Sequence, residues 1–163
     1  MIIVSDTTPL ISLLKLNLLD ILQKMYNEVA VPEAVYGELV ANAAFQEEAQ
    51  VIRDCEFLRK EAVRNRFAVR VLEAEMLLDR GESEALVLAE DLQADLLLVD
   101  ERRARAIAKQ LGIPIAGTLG VLLEAKRTGY VPLLRPLLET LQECNIRLSP
   151  ALIKEILQLA GEA

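Results

Sequence analysis

Short apolar runs alternate along the chain with longer stretches in which apolar residues recur every third or fourth position. The short runs, at residues 2–4, 28–31, 57–63, 96–99 and 113–115, read as strands, and LLLV at 96–99 is the clearest. Strands this apolar belong in a parallel sheet covered on both faces. Between them the periodicity predicts helices over 8–14, 18–25, 32–40, 44–54, 67–78, 83–92, 101–111 and 118–129. The first has Thr8 as N-cap with Pro9 behind it, and proline is pre-set for the first helical position. Two more helices fill the tail. One carries Leu133, Leu134, Leu137, Leu138 and Leu141; the other has Ser149 as N-cap, Pro150 next, and Leu152, Ile153, Ile156 and Leu157 on one stripe. The pattern gives one α/β domain over residues 1–163, with 131–163 as a C-terminal helical extension packed on it.

Composition narrows the chemistry. Apolar residues make up 53% of the 163 positions, high for a chain that folds alone. A homodimer is therefore expected, using the stripe of Leu13, Leu14, Leu18 and Ile21 or the last helix. No apolar run approaches the roughly 20 residues a membrane span requires. The opening MIIVSDTTPL lacks the basic segment of a secretory signal, so a cytoplasmic protein is expected. Cys55 and Cys144 form neither a CxxC pair nor a disulfide framework and read as buried thiols. Histidine is absent, which excludes imidazole bases and histidine-ligated zinc. The net charge of −7 makes the chain a poor general binder of phosphate backbones. Any role on nucleic acid must rest on a local basic patch, bound cations or a partner.

The acids supply the candidate site. Ligands of parallel sheets bind beyond the carboxyl ends of the strands. Asp6 lies just past the first strand and Asp100 follows Val99, so both emerge on that edge. Glu38 borders the apolar face of the helix after the second strand, and Glu84 stands near the start of the helix before the fourth. Each has a plainer explanation. Asp6 and Asp100 suit helix caps, Glu84 suits a helix N-terminus, and Glu38 suits a solvated surface. Without histidine or paired cysteine, carboxylates are the remaining plausible metal ligands, and all-oxygen sites select magnesium or manganese.

Four segments in order, VSDTTPLISL, VPEAVYGELV, LDRGESEALVLAEDLQADLLLVDERRAR and GIPIAGTLGVLLEAKRTGYV, resemble the PIN-domain family. The likeness is to its small prokaryotic branch related to toxins of toxin–antitoxin pairs. It implies a three-layer α/β/α sandwich around a central parallel sheet. It also implies a ribonuclease whose four acids, here Asp6, Glu38, Glu84 and Asp100, hold Mg²⁺ or Mn²⁺. Asp6 and Asp100 would be direct ligands, and Glu38 and Glu84 would act through water. Thr118, and Ser5 beside Asp6, would support them. The family's third acid is usually aspartate, and Glu84 is one methylene longer; Glu101 is an unusual fifth acid that either faces the site or starts a helix. The implied partners are an RNA substrate and an antitoxin protein.

Arg102, Arg105 and Lys109 share a helix face just past Asp100, placed either to grip RNA phosphates or to form a solvated face. A haloacid-dehalogenase-type phosphohydrolase wants a second aspartate where Thr8 stands, and a response-regulator receiver needs paired acids and a strand-end lysine that are missing. The remaining alternative is a catalytically weak PIN-like module that binds an antitoxin or RNA.

Overall fold

The computed structural model describes residues 1–41 and 46–163. Strand β1 (Ile3–Ser5) leads into helices α1 (Thr7–Lys15) and α2 (Ile21–Tyr26). Next come β2 (Val29–Pro32), α3 (Glu33–Ala41), α4 (Gln46–Asp54) and β3 (Leu58–Glu61). Helices α5 (Arg66–Glu75) and α6 (Arg80–Asp91) precede β4 (Leu96–Leu98), α7 (Arg102–Gln110) and β5 (Ile115–Ala116). The chain closes with α8 (Thr118–Arg127), α9 (Arg135–Glu143) and α10 (Pro150–Leu159). The helix expected over 44–54 starts, in part, outside the described residues.

The strands form one five-stranded sheet in the order β3-β2-β1-β4-β5, every pairing parallel. Neighbouring strand residues face opposite layers. Ile3, Val29, Val31 and Leu98 join one apolar cluster with the residues of α1, α3, α8, α9 and α10. Val4, Leu97 and Val99 join a second with α5, α6 and α7. Two helical layers thus sandwich the sheet, as the apolar strands required. No helix among the described residues is long and apolar enough to cross a membrane.

Several boundaries differ from the sequence reading. Helix α1 starts at Thr7, with Asp6 in the N-cap position instead of Thr8. Pro32 ends β2, opposite Glu61, before the helix begins at Glu33. Leu77 adopts a φ of 56°, which stops α5 early, and α6 begins at Arg80 behind an Asp79 cap. Leu13 and Ile21, expected on a dimer surface, are buried in the core, with Leu14 and Leu18 packed on it. Neither cysteine is buried: Cys55 is half-buried and Cys144 exposed.

The tail is tied into the first cluster through Leu134, Leu138, Leu141, Ile156 and Leu157. Glu162 completes the closure. Its carboxylate accepts from the Leu134 amide at 2.7 Å, the Arg135 amide at 3.0 Å and Lys126 Nζ at 2.8 Å. Burial alone would raise its pKa, but Lys126 and the two amides outweigh burial and pull it down to about 2. A depressed carboxylate stabilises the fold above its unfolded pKa, and this is lost as pH falls toward 2. Glu162→Gln is expected to cost about 2–3 kcal/mol at neutral pH, since hydrogen bonds to a charged group are lost. Denaturant melts at pH 7 check this; an unchanged midpoint would remove the clasp from the account.

Candidate functional site

The site grows from the end of β1. Asp6 donates its amide to Leu98 O at 2.9 Å, which locks it between β1 and β4 at the carboxyl edge of the sheet. Its backbone occupies the N-cap position of α1, yet its side chain makes no capping hydrogen bond. The residue is 4% exposed. Burial, reinforced by the charges of Glu82, Asp79 and Glu38, raises its pKa to about 7, against a smaller downward pull from the Thr7 backbone. The plain capping explanation for Asp6 therefore fails.

Glu38 reaches the same place from α3. Its Oε2 accepts from Thr7 Oγ1 at 3.0 Å, so the first turn of α1 fixes one carboxylate oxygen. Its Oε1 lies against Gly81 in the first turn of α6: a Cβ built on that glycine would stand 2.6 Å from it. Burial raises the Glu38 pKa, the Thr7 hydroxyl lowers it and Asp79 raises it again.

Helix α6 contributes its acids through a capping box. Asp79 Oδ1 accepts from the Glu82 amide at 2.7 Å, and Glu82 Oε2 accepts from the Asp79 amide at 3.0 Å. Burial raises the Glu82 pKa and the Asp79 amide lowers it, while Asp79, Glu101 and Glu38 raise it further. Asp6, Glu38, Asp79 and Glu82 thus form one electrostatically connected group. Asp79 and Glu82 are not among the acids read from the sequence, where this helix starts at Ser83 and not at Arg80. The signal was present in Asp79-Arg80-Gly81-Glu82, an acid three residues past a capping aspartate before an apolar run.

Glu84, expected as the third acid, is engaged elsewhere. Its Oε1 accepts from the Ala34 amide at 3.2 Å and its Oε2 from Arg66 Nη1 at 3.1 Å. It is 2% exposed, and its carboxylate bridges the starts of α3 and α5. The reason is helical phase: two residues beyond Glu82, it points to a different side of α6.

Asp100 completes the edge two residues past β4. It accepts from the Thr118 amide at 2.7 Å and from Thr118 Oγ1 at 2.6 Å, so it caps the start of α8 and not the helix that follows it. Glu101 caps that helix, accepting from the Ala104 amide at 2.8 Å. Gly117 leaves room here, since a Cβ on it would meet Asp100 Oδ1 at 2.8 Å and Arg105 Nη1 at 3.0 Å. Arg105 donates to Val99 O at 2.9 Å and is half-buried, whereas Arg102 is exposed. Ser5 turns its hydroxyl to Asp6 O at 2.9 Å, supporting the backbone and not the carboxylate.

The arrangement is a cluster of hard oxygen donors of one sign, two of them held by threonine hydroxyls from helix starts. Such donors suit magnesium or manganese. Burial first, then the neighbouring carboxylates, disfavour the ionised form of Asp6, and the carboxylate part of that cost is what a positive charge would relieve. As the side chains stand, no three acids, histidines or cysteines among the described residues are gathered closely enough to hold an ion.

A family model described as a PIN domain matches residues 2–162, a span that takes in α9 and α10. No curated protein matches the chain.

Proposed function

The chain belongs to the PIN-domain family, and on that premise we propose a ribonuclease whose sheet-edge acids hold Mg²⁺ or Mn²⁺. The observation that carries this is that Glu38, held by Thr7 next to Asp6, lies against Gly81 in the first turn of α6. That turn also bears Glu82, and both acids add to the upward pull on buried Asp6. Asp100, at the end of neighbouring β4, is fixed by Thr118 on the same edge. We assign the metal to Asp6, Glu38, Glu82 and Asp100, with Glu82 in the place expected for Glu84. A bound divalent ion would supply charge to neutralise the scissile phosphate and acidify an attacking water. The chain's own groups do the rest. Thr7 and Thr118 orient two of the carboxylates, and a deprotonated acid at the edge accepts the proton of the attacking water.

An acidic chain needs a local grip on RNA. Arg105 stands beside Asp100, and exposed Arg102 follows the same strand end. On α5 and just before it, in the same layer as α6, Arg70 and Arg64 flank Phe67, which is 68% exposed and has Arg70 6.0 Å from its ring centre. These arginines suit phosphates and Phe67 suits a base.

The motifs shared with the toxin-related branch support a finer reading: the toxin component of a toxin–antitoxin pair, with a small antitoxin protein as partner. For a homodimer the support has moved from the first helices to α10, where Leu152 and Leu159 are exposed. A catalytically weak binding module is the second reading, favoured by the ungathered acids. Purified protein incubated with total RNA in Mn²⁺, then in chelator, separates the two. The nuclease reading expects cleavage only with metal, whereas binding without cleavage supports the module.

A further inference from the structure

We propose that Gly81 is a positioning residue, required to be glycine so that Glu38 can lie in the acidic cluster; this rests on the site assigned above. Glu38 is held between two helix starts. Its Oε2 accepts from Thr7 Oγ1 at 3.0 Å, and its Oε1 faces the bare Cα of Gly81. A Cβ there would stand 2.6 Å from Oε1, 3.4 Å from Glu38 Cδ and 3.5 Å from Asp79 Oδ1. The first of these is closer than atoms can stay, so alanine must displace the Glu38 carboxylate.

The displacement costs the fold little, because the group in the way is the mobile end of a partly exposed side chain. Gly81 sits in the first turn of α6 in ordinary helical conformation, where alanine is the better helix former. Structural preference therefore favours alanine and the carboxylate favours glycine. Asp79 lies beside the same glycine and repels Glu38, so a shift of the carboxylate toward it is opposed by charge. Pushing Oε1 off Gly81 strains or breaks the bond that Oε2 accepts from the Thr7 hydroxyl.

The test is a double-mutant cycle of Gly81→Ala and Glu38→Ala, read by Mn²⁺ calorimetry, RNA cleavage and thermal melting. Gly81→Ala should weaken Mn²⁺ binding and cleavage about ten- to hundredfold, the scale of an ångström's misplacement. Its melting temperature should be unchanged or higher. In the Glu38→Ala background, Gly81→Ala should change neither metal binding nor cleavage further. Equal losses in both backgrounds, or a lowered melting temperature that accounts for the loss, would overturn the proposal. A crystal structure of Gly81→Ala decides independently of metal and catalysis. Glu38 off Thr7 supports the positioning role even if the wild type cuts no RNA, and Glu38 still bonded to Thr7 refutes it.

Discussion

Replacing Asp6 with asparagine is expected to make the metal-free protein more resistant to heat while ending its RNA cleavage. Burial and the charges of Glu82, Asp79 and Glu38 raise the Asp6 pKa from 3.8 to about 7. The folded chain thus keeps a proton that the unfolded chain releases between about pH 4 and 7. A raised carboxylate costs stability as pH rises through that window, and the full cost is in place above it. A rise from 3.8 to about 7 sets a ceiling of about 4 kcal/mol, since each tenfold change in proton affinity is worth about 1.4 kcal/mol. Relaxation, and the hydrogen bonds asparagine itself needs when buried, leave about 2 kcal/mol. At roughly 2–4 °C per kcal/mol for a chain of this size, the variant should melt about 4–8 °C higher at pH 8 in chelator. At pH 5 the difference should shrink. Mn²⁺ should stabilise the wild type and leave the variant nearly unmoved. Melting curves at the two pH values check this. A variant that melts lower at pH 8, or a wild type with a flat profile, would show that Asp6 is not a strained acid.

The second large effect separates Glu82 from Glu84. Glu82→Gln keeps the capping box, because glutamine serves at that position, and removes a charge that Glu38 and Asp79 oppose. Its stability should hold or rise, and Mn²⁺ affinity should fall by an order of magnitude or more. Glu84→Gln does the reverse. It takes the charge from a carboxylate that bonds the Ala34 amide and Arg66 with 2% exposure. Losing charged hydrogen bonds in a buried position costs about 2 kcal/mol, discounted because Arg66 is half exposed. Its Mn²⁺ affinity should stay near that of the wild type. Calorimetry beside denaturant melts reads both quantities. A Glu84 variant that loses metal while the Glu82 variant keeps it would return the third acid to Glu84.

The sheet was legible in the sequence because its strands are buried on both faces. Runs such as Leu96 to Val99 could be nothing but interior, and turns and caps set their spacing. Asp6 and Asp100 could be placed because the ends of parallel strands fix where a following residue emerges. The start of α6 was obscured. The periodicity places its start at Ser83, whereas the capping box of Asp79 and Glu82 starts it at Arg80. Two residues move a side chain by more than half a turn of helix, so Glu82 and Glu84 cannot serve the same edge. Glu84 turns to Ala34 and Arg66. Gly81, in that first turn, is the residue that makes room for Glu38. The leucines of α1 and α2 misled for another reason. Periodicity marks an apolar face but not what covers it, and here β2, α3 and α8 pack against these helices.

The most direct test of the central claim is the cleavage rate of single-stranded RNA in Mn²⁺ for wild type, Glu82→Gln and Glu84→Gln. It is measured at a temperature where all three are folded. If Asp6, Glu38, Glu82 and Asp100 form a metal-dependent ribonuclease site, the wild type and Glu84→Gln cut and stop in chelator, and Glu82→Gln is slower by about a hundredfold or more, as for loss of one group that stabilises the transition state. Cleavage that persists in chelator, or that Glu82→Gln retains at the wild-type rate, would contradict it.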